Sequence, residues 1–201
     1  MKTTKQNTLK MVELAVLMAL VAVLQITGTG IMLGGTPVSL VLIPIALGAM
    51  LLGPWAGALL GLEFGVIVFL AGLFGADGFT FILIQDHPIY TAILCLGKGA
   101  LAGLAAGIVY RLLEKKNVYA AVFAAAATTP IVNTAIFILG ALGMQQTLVS
   151  NFLAEGQTVI YFLIVVCAGI NFIFEFCLNL LVAPALARVV DAVQRRLFPS
   201  K

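Results

Sequence analysis

Charge is scarce in this 201-residue chain: eleven Lys or Arg and eight Asp or Glu together make up 9% of it. Water-soluble domains carry about 25%, because a surface facing water has to be polar. So few charges cannot coat a soluble sphere, and 62% hydrophobic residues with a mean hydropathy of +1.16 point to lipid as the solvent. Histidine occurs once, at His87, which excludes a His-rich metal site. Cys95, Cys167 and Cys177 all sit inside apolar runs. They lack C-x-x-C or metal-ligand spacing and read as small buried hydrophobes. No G-x-x-x-x-G-K-[ST] occurs. Gly97-Lys98-Gly99 lacks both the earlier glycine and the Ser/Thr that a phosphate loop needs. H-E-x-x-H and G-x-S-x-G are absent too. The chain is therefore expected to be neither an ATPase nor any other enzyme, and to bind no cofactor of its own.

What is present is a series of apolar runs. One helical crossing takes about 20 residues, and six runs qualify: 9–28, 38–53, 55–74, 88–113, 118–143 and 158–187. They predict an all-α integral membrane protein, residues 1–201 forming one compact bundle of six transmembrane helices. The first run follows Lys2, Lys5 and Lys10, as a signal peptide's would. Its length, Glu13 near its start and the lack of a small-x-small site favour a retained helix. Runs two and three, if continuous, would make a helix of about 50 Å, against a hydrocarbon core of about 30 Å. A tight reversal at Gly53-Pro54 is predicted instead. The segment 75–88 has an apolar centre suited to dipping into the membrane face, and Pro130 should kink the fifth helix.

The charges fix an orientation. Lys2, Lys5 and Lys10 precede helix one, Arg111, Lys115 and Lys116 close helix four, and Arg188, Arg195, Arg196 and Lys201 follow helix six. With six crossings all of these fall on one side, and the opposite loops hold only Asp77, Asp86 and Glu155. The positive-inside rule then places both termini in the cytoplasm. The net charge of +3 is explained by this asymmetry, and no nucleic-acid partner is implied.

Gly53, Gly57, Gly61 and Gly65 recur every fourth residue, as do Gly99, Gly103 and Gly107. Residues four apart share a helix face, and small residues let backbones meet closely in lipid. These ladders suit packing within the bundle or against another subunit. Ala15 and Ala19 form a weaker small-residue stripe on helix one, open to the same two readings.

Polar groups at membrane depth are costly unless paired or functional. Glu63 lies about 14 Å from the Gly53 turn and Lys98 about 15 Å from the outer end of helix four, so both sit near mid-depth. Either they form an ion pair, or Lys98 supplies a cation to an anionic ligand. Asn133 follows Pro130, which frees a backbone carbonyl. Asn171, Glu175 and Asn179 share one face of helix six. Interhelical hydrogen bonds and solute contacts both account for these residues, as they do for Gln25 near the outer end of helix one. Phe79, Phe81, Tyr90 and Trp55 read as interfacial anchors, and His87 as a helix-boundary residue.

Residues 38–65, with Pro44, Gly53-Pro54-Trp55 and Glu63, resemble the substrate-binding (S) subunits of energy-coupling factor (ECF) vitamin transporters. So do Ala15-x-x-x-Ala19 and Lys98-Gly-Ala-Leu-Ala-Gly103. The likeness spans nearly the whole chain and is strongest to the pantothenate-type members. The resemblance implies a multi-pass subunit of a prokaryotic cell membrane that captures a small water-soluble vitamin from outside. Its partners would be a transmembrane coupling subunit and two cytoplasmic ATPase subunits, which alone would use ATP-Mg. It assigns Ala15 and Ala19 to docking on the coupling subunit. It also suits Lys98, Asn133, Asn171, Glu175 and Gln25 to substrate binding, and Gly34, Gly35 and Pro37 to a gating loop. Another vitamin in the same kind of subunit, or a structural membrane protein whose polar residues only pack, are the competing readings. A complete secondary transporter is disfavoured because residues 1–100 and 101–201 show no repeat.

Overall fold

The structure is a computed structural model that describes residues 2–28, 32–33, 36–37 and 40–197, with side chains described for 7–28 and 40–193. Helix α1 (Lys2–Gly28) leads through the two-residue strands β1 (Met32–Leu33) and β2 (Thr36–Pro37) to α2 (Leu42–Leu52) and α3 (Pro54–Leu73). The strands pair antiparallel, Met32 opposite Pro37. Next come the short α4 (Gly78–Asp86), then α5 (Pro88–Leu113) and α6 (Val118–Ala141). A 3₁₀ turn, Leu142–Met144, is followed by α7 (Gln145–Asn151). The last helical stretch runs from α8 (Val159–Tyr161) through a π-helical segment, Phe162–Gly169, into α9 (Ile170–Leu197).

Local chemistry sets the boundaries. Gly53 has φ 104°, a left-handed conformation that only glycine adopts without strain, and Pro54 occupies the first turn of α3, where its missing N–H costs nothing. The chain reverses there. Asn117 caps α6 by accepting from the Ala120 amide at 3.1 Å, and Thr158 caps α8 by accepting from the Tyr161 amide at 3.2 Å. Both replace hydrogen bonds that a helix start leaves unmade. Pro130 sits inside α6, which continues through it to Ala141.

Among the described residues, five stretches are long and apolar enough to cross a bilayer, whereas α2 is a shorter apolar helix of 11 residues. The run expected to cross over 38–53 thus contributes only about 16 Å of helix, roughly half the hydrocarbon thickness. Residues 38 and 39 lie outside those described. Short as it is, α2 still turns the chain. Ala49 meets Gly57 across the Gly53 reversal, so α2 and α3 are antiparallel.

The glycine ladders face each other within the bundle. A Cβ added at Gly61 would strike the carbonyl of Gly99, one at Gly103 the carbonyl of Gly57, and one at Gly65 the carbonyl of Cys95. These pairs run in opposite sequence directions, so α3 and α5 are antiparallel with their backbones in contact. That close packing follows from having no side chain between them. Leu17 of α1 approaches Gly48 and packs with Leu60 and Phe64. Ala121, Ala125, Ala183 and Ala187 join α6 to α9. Consecutive helices alternate in direction, so the Gly53 turn and the 114–117 turn lie at one end, and α4 and α7 at the other. Large apolar side chains such as Ile89, Leu112, Leu139 and Leu181 point outward, each at least 69% exposed. In lipid that surface is solvated rather than sticky.

Candidate binding cavity

At the end of the bundle away from Gly53, the helices part around a cavity of about 110 Å³. It is walled by α1, α3, α5, α6 and the π-helical segment with α9, and α4 closes over it. α5 packs on α3 and α6, while α9 packs on α6 and α2, so α5 and α9 bound it from different sides with α6 between them. All five residues to which the sequence gave a binding role, Gln25, Lys98, Asn133, Asn171 and Glu175, line this one cavity.

Lys98 projects from α5 one residue before Gly99, beside the glycine contact with α3. Its ammonium lies 5.5 Å from the ring centroids of both Phe64 and Phe137. Among the described residues no carboxylate pairs with it. The expected alternative, an ion pair with Glu63, does not form. Glu63 is two residues from both Gly61 and Gly65, about 200° around the helix from the face that α5 covers. Its Oε2 is buried without a hydrogen-bond partner. Matching depth is not matching direction. Aromatic faces attract a cation through the ring quadrupole, and the carboxylates of Asp77 and Glu175 line the same cavity without an ion pair to Lys98.

The opposite walls are rich in acceptors. Asn133, 8% exposed on α6, and Asn171 on α9 both line the cavity, and the Oδ1 of each is buried with no hydrogen-bond partner. Glu175, 3% exposed, adds a carboxylate one helical turn from Asn171. Asn179, one turn further, is 1% exposed and donates to the Glu175 carbonyl at 2.8 Å. It stands below the cavity rather than in its wall. A buried acceptor without a donor is costly, and buried polar atoms are normally paired. The Oδ1 of Asn179, outside the cavity, is buried without a partner in the same way.

Asp77 caps α4, accepting from the amides of Phe79 at 3.2 Å and Thr80 at 3.3 Å, and from the Thr80 hydroxyl. Phe79 is drawn inward, its ring 5.9 Å from Phe137 and 4.9 Å from Phe152. Asp77, Phe79 and Thr80 all line the cavity. The segment expected to dip toward the membrane is thus a capped helix over the site. The sequence reading treated Phe79 as an interfacial anchor, and its ring instead lines the cavity. Thr134, Phe137 and Phe172, which had no role assigned, also line the cavity, as does Cys167, read from the sequence as a small buried hydrophobe. Thr134 was recoverable in principle, since it neighbours Asn133. Trp55, 80% exposed at the Gly53 end, lies far from the site, and His87 joins α4 to α5.

Gly34 and Gly35 of the expected gating loop lie outside the described residues, and Pro37 is described only as part of β2. Ala15 and Ala19 are exposed on the outer face of α1, away from the cavity. Among the described residues no group of His, Cys, Asp or Glu is arranged to hold a metal ion.

The family model described as ECF transporter, substrate-specific component, matches residues 9–187. No curated protein matches the chain.

Proposed function

The chain belongs to the substrate-specific components of ECF transporters, and we propose that the solute it binds is pantothenate. Membership makes it a non-catalytic, multi-pass subunit of a prokaryotic membrane transporter. ECF transporters generally join such a subunit to a transmembrane coupling subunit and ATPase subunits, and carry small vitamins. Nucleotide hydrolysis belongs to those partners, in keeping with the missing phosphate loop here.

The observation that supports pantothenate is the Lys98 ammonium, which among the described residues forms no ion pair, in a cavity also lined by the amide side chains of Asn133 and Asn171. Pantothenate carries one carboxylate for the cation and an amide and two hydroxyls for the amides. Gln25 and Glu175 complete the contact set. Solute enters at the α4 end, with the loop containing Gly34, Gly35 and Pro37 and the segments 75–87 and 144–157 closing over it. Arg111, Lys115 and Lys116 lie at the opposite end, around the 114–117 turn, so the positive-inside rule makes that end cytoplasmic. Both termini then lie inside, with six membrane passages of which α2 is the short one. Ala15 and Ala19 form a face without bulk on the outside of α1, suited to close contact with the coupling subunit. Rearrangement of the ATPases drives reorientation of the loaded subunit and inward release.

The test is direct. The purified chain is denatured and its released small molecules are identified by mass spectrometry. Pantothenate in stoichiometric amount is the expected result, and a different vitamin would replace this reading.

A further inference from the structure

We propose that Phe64 and Phe137 are positioning residues for substrate binding. They seat the Lys98 ammonium so that its N–H donors stay free for a ligand carboxylate, and Phe137 ties that seat to the covering helix α4. This rests on the proposed function, because it names the residues that make Lys98 ready for the same ligand.

A lysine at membrane depth is costly unless something compensates it. A carboxylate could do so, but it would hold some of the ammonium's three donors, and an anionic solute would then have to displace it. Ring faces attract the cation through their quadrupole and claim none of those donors. Here the rings reach in from the two helices that flank α5. Phe64 comes from α3 and Phe137 from α6, each with its centroid 5.5 Å from Lys98 Nζ. Each ring is fixed independently. Phe64, 3% exposed, packs with Leu60 and Val68, and its ring lies against Gly99, where an added Cβ would meet Phe64 Cδ1 at 3.1 Å. The glycine that follows Lys98 thus makes room for the ring. Phe137 packs against a separate cluster that includes Leu94 and Leu163. The Asp77 carboxylate, also on the cavity wall, is engaged at the start of α4. A cation whose position is set before the ligand arrives loses less freedom on binding. Phe137 also meets Phe79 of α4, centroid to centroid at 5.9 Å, so a movement of α4 reaches the seat through one ring.

The test titrates the full-length chain in lipid nanodiscs with pantothenate and with the corresponding primary alcohol, and reads the ratio of the two affinities. Phe64→Leu and Phe137→Leu should each lower that ratio about 3- to 10-fold by weakening the acid. Unchanged binding of the alcohol shows that each variant is folded. Phe137→Tyr keeps the ring face and should hold the wild-type ratio. Phe79→Leu should lower the ratio as well, and no further in a chain already carrying Phe137→Leu. Equal losses of acid and alcohol in the two leucine variants would mark the rings as structural and overturn the inference. If both variants keep the wild-type ratio while Lys98→Ala abolishes it, the inference fails and the carboxylate contact stands. A ratio that Phe79→Leu leaves unchanged overturns the tie to α4. If the wild type binds neither compound, the pantothenate reading falls and this inference falls with it.

Discussion

The Lys98 ammonium rests 5.5 Å from the Phe137 ring centroid, and Phe137 in turn meets Phe79 of α4 at 5.9 Å. One aromatic ring therefore touches both the cavity's cation and the helix that covers it. The cation is held in place by faces that attract it without neutralising it, and the proposed function makes a ligand carboxylate its partner.

Replacing Lys98 by Ala should weaken binding of a carboxylate ligand about 10- to 100-fold, the equivalent of one charge-assisted hydrogen bond at about 1.5–3 kcal/mol. Binding of the corresponding primary alcohol should change little. Calorimetry on the pair measures both. Equal losses for acid and alcohol would remove the carboxylate from Lys98.

The α3–α5 contact should tolerate no side chain. Gly61→Leu forces a branched group against the Gly99 carbonyl and should destabilise the bundle by about 2 kcal/mol or more. Gly97→Ala is the control: it lies on the partner helix α5, where an added Cβ meets nothing within 4 Å, and it should leave stability unchanged. Thermal aggregation midpoints in detergent compare the two. A wild-type midpoint for Gly61→Leu would mean that the backbones can separate freely.

Asp77 links the lid to the site. Asp77→Ala removes the cap of α4 at a cost of about 1 kcal/mol, whereas Asp77→Ser keeps an N-capping oxygen. Amide hydrogen exchange over residues 79–86 should quicken in the first variant and stay near wild type in the second. Ligand dissociation should follow the same order. Indistinguishable exchange in all three proteins would mean that α4 is held by its aromatic contacts alone.

Ala15 and Ala19 are exposed on α1 and contribute nothing to the cavity. Trp at both positions should leave ligand affinity of the solitary chain intact and abolish co-purification of ATPase-bearing partners. Persistence of the complex would place the docking surface elsewhere.

The polar positions were legible because lipid makes each one conspicuous: Gln25, Lys98, Asn133, Asn171 and Glu175 stand out against apolar sequence, and the fold gathers all five around one cavity. Phe79 and Phe137 were not legible. An aromatic residue in a membrane chain is equally at home in lipid, at the interface or in a binding site, and only packing separates these. The pairing of Glu63 with Lys98 misled for a related reason. Distance along a helix can be counted from residue numbers, but azimuth relative to a neighbour depends on which face that neighbour covers. Here Gly61 and Gly65 bring α5 to the far side from Glu63.

By itself, the sequence determined that the chain lives in lipid, where it turns, and which ends carry positive charge. These are local properties: hydropathy, Gly53-Pro54 and the placement of Lys and Arg act wherever the helices go. Only the tertiary structure decided that the two glycine ladders face each other, that α2 stops after 11 residues, and that Lys98 faces Phe137 rather than Glu63. Each of those depends on the rotation and register of one helix against another, and that is set by the sum of many weak contacts between residues far apart in the chain.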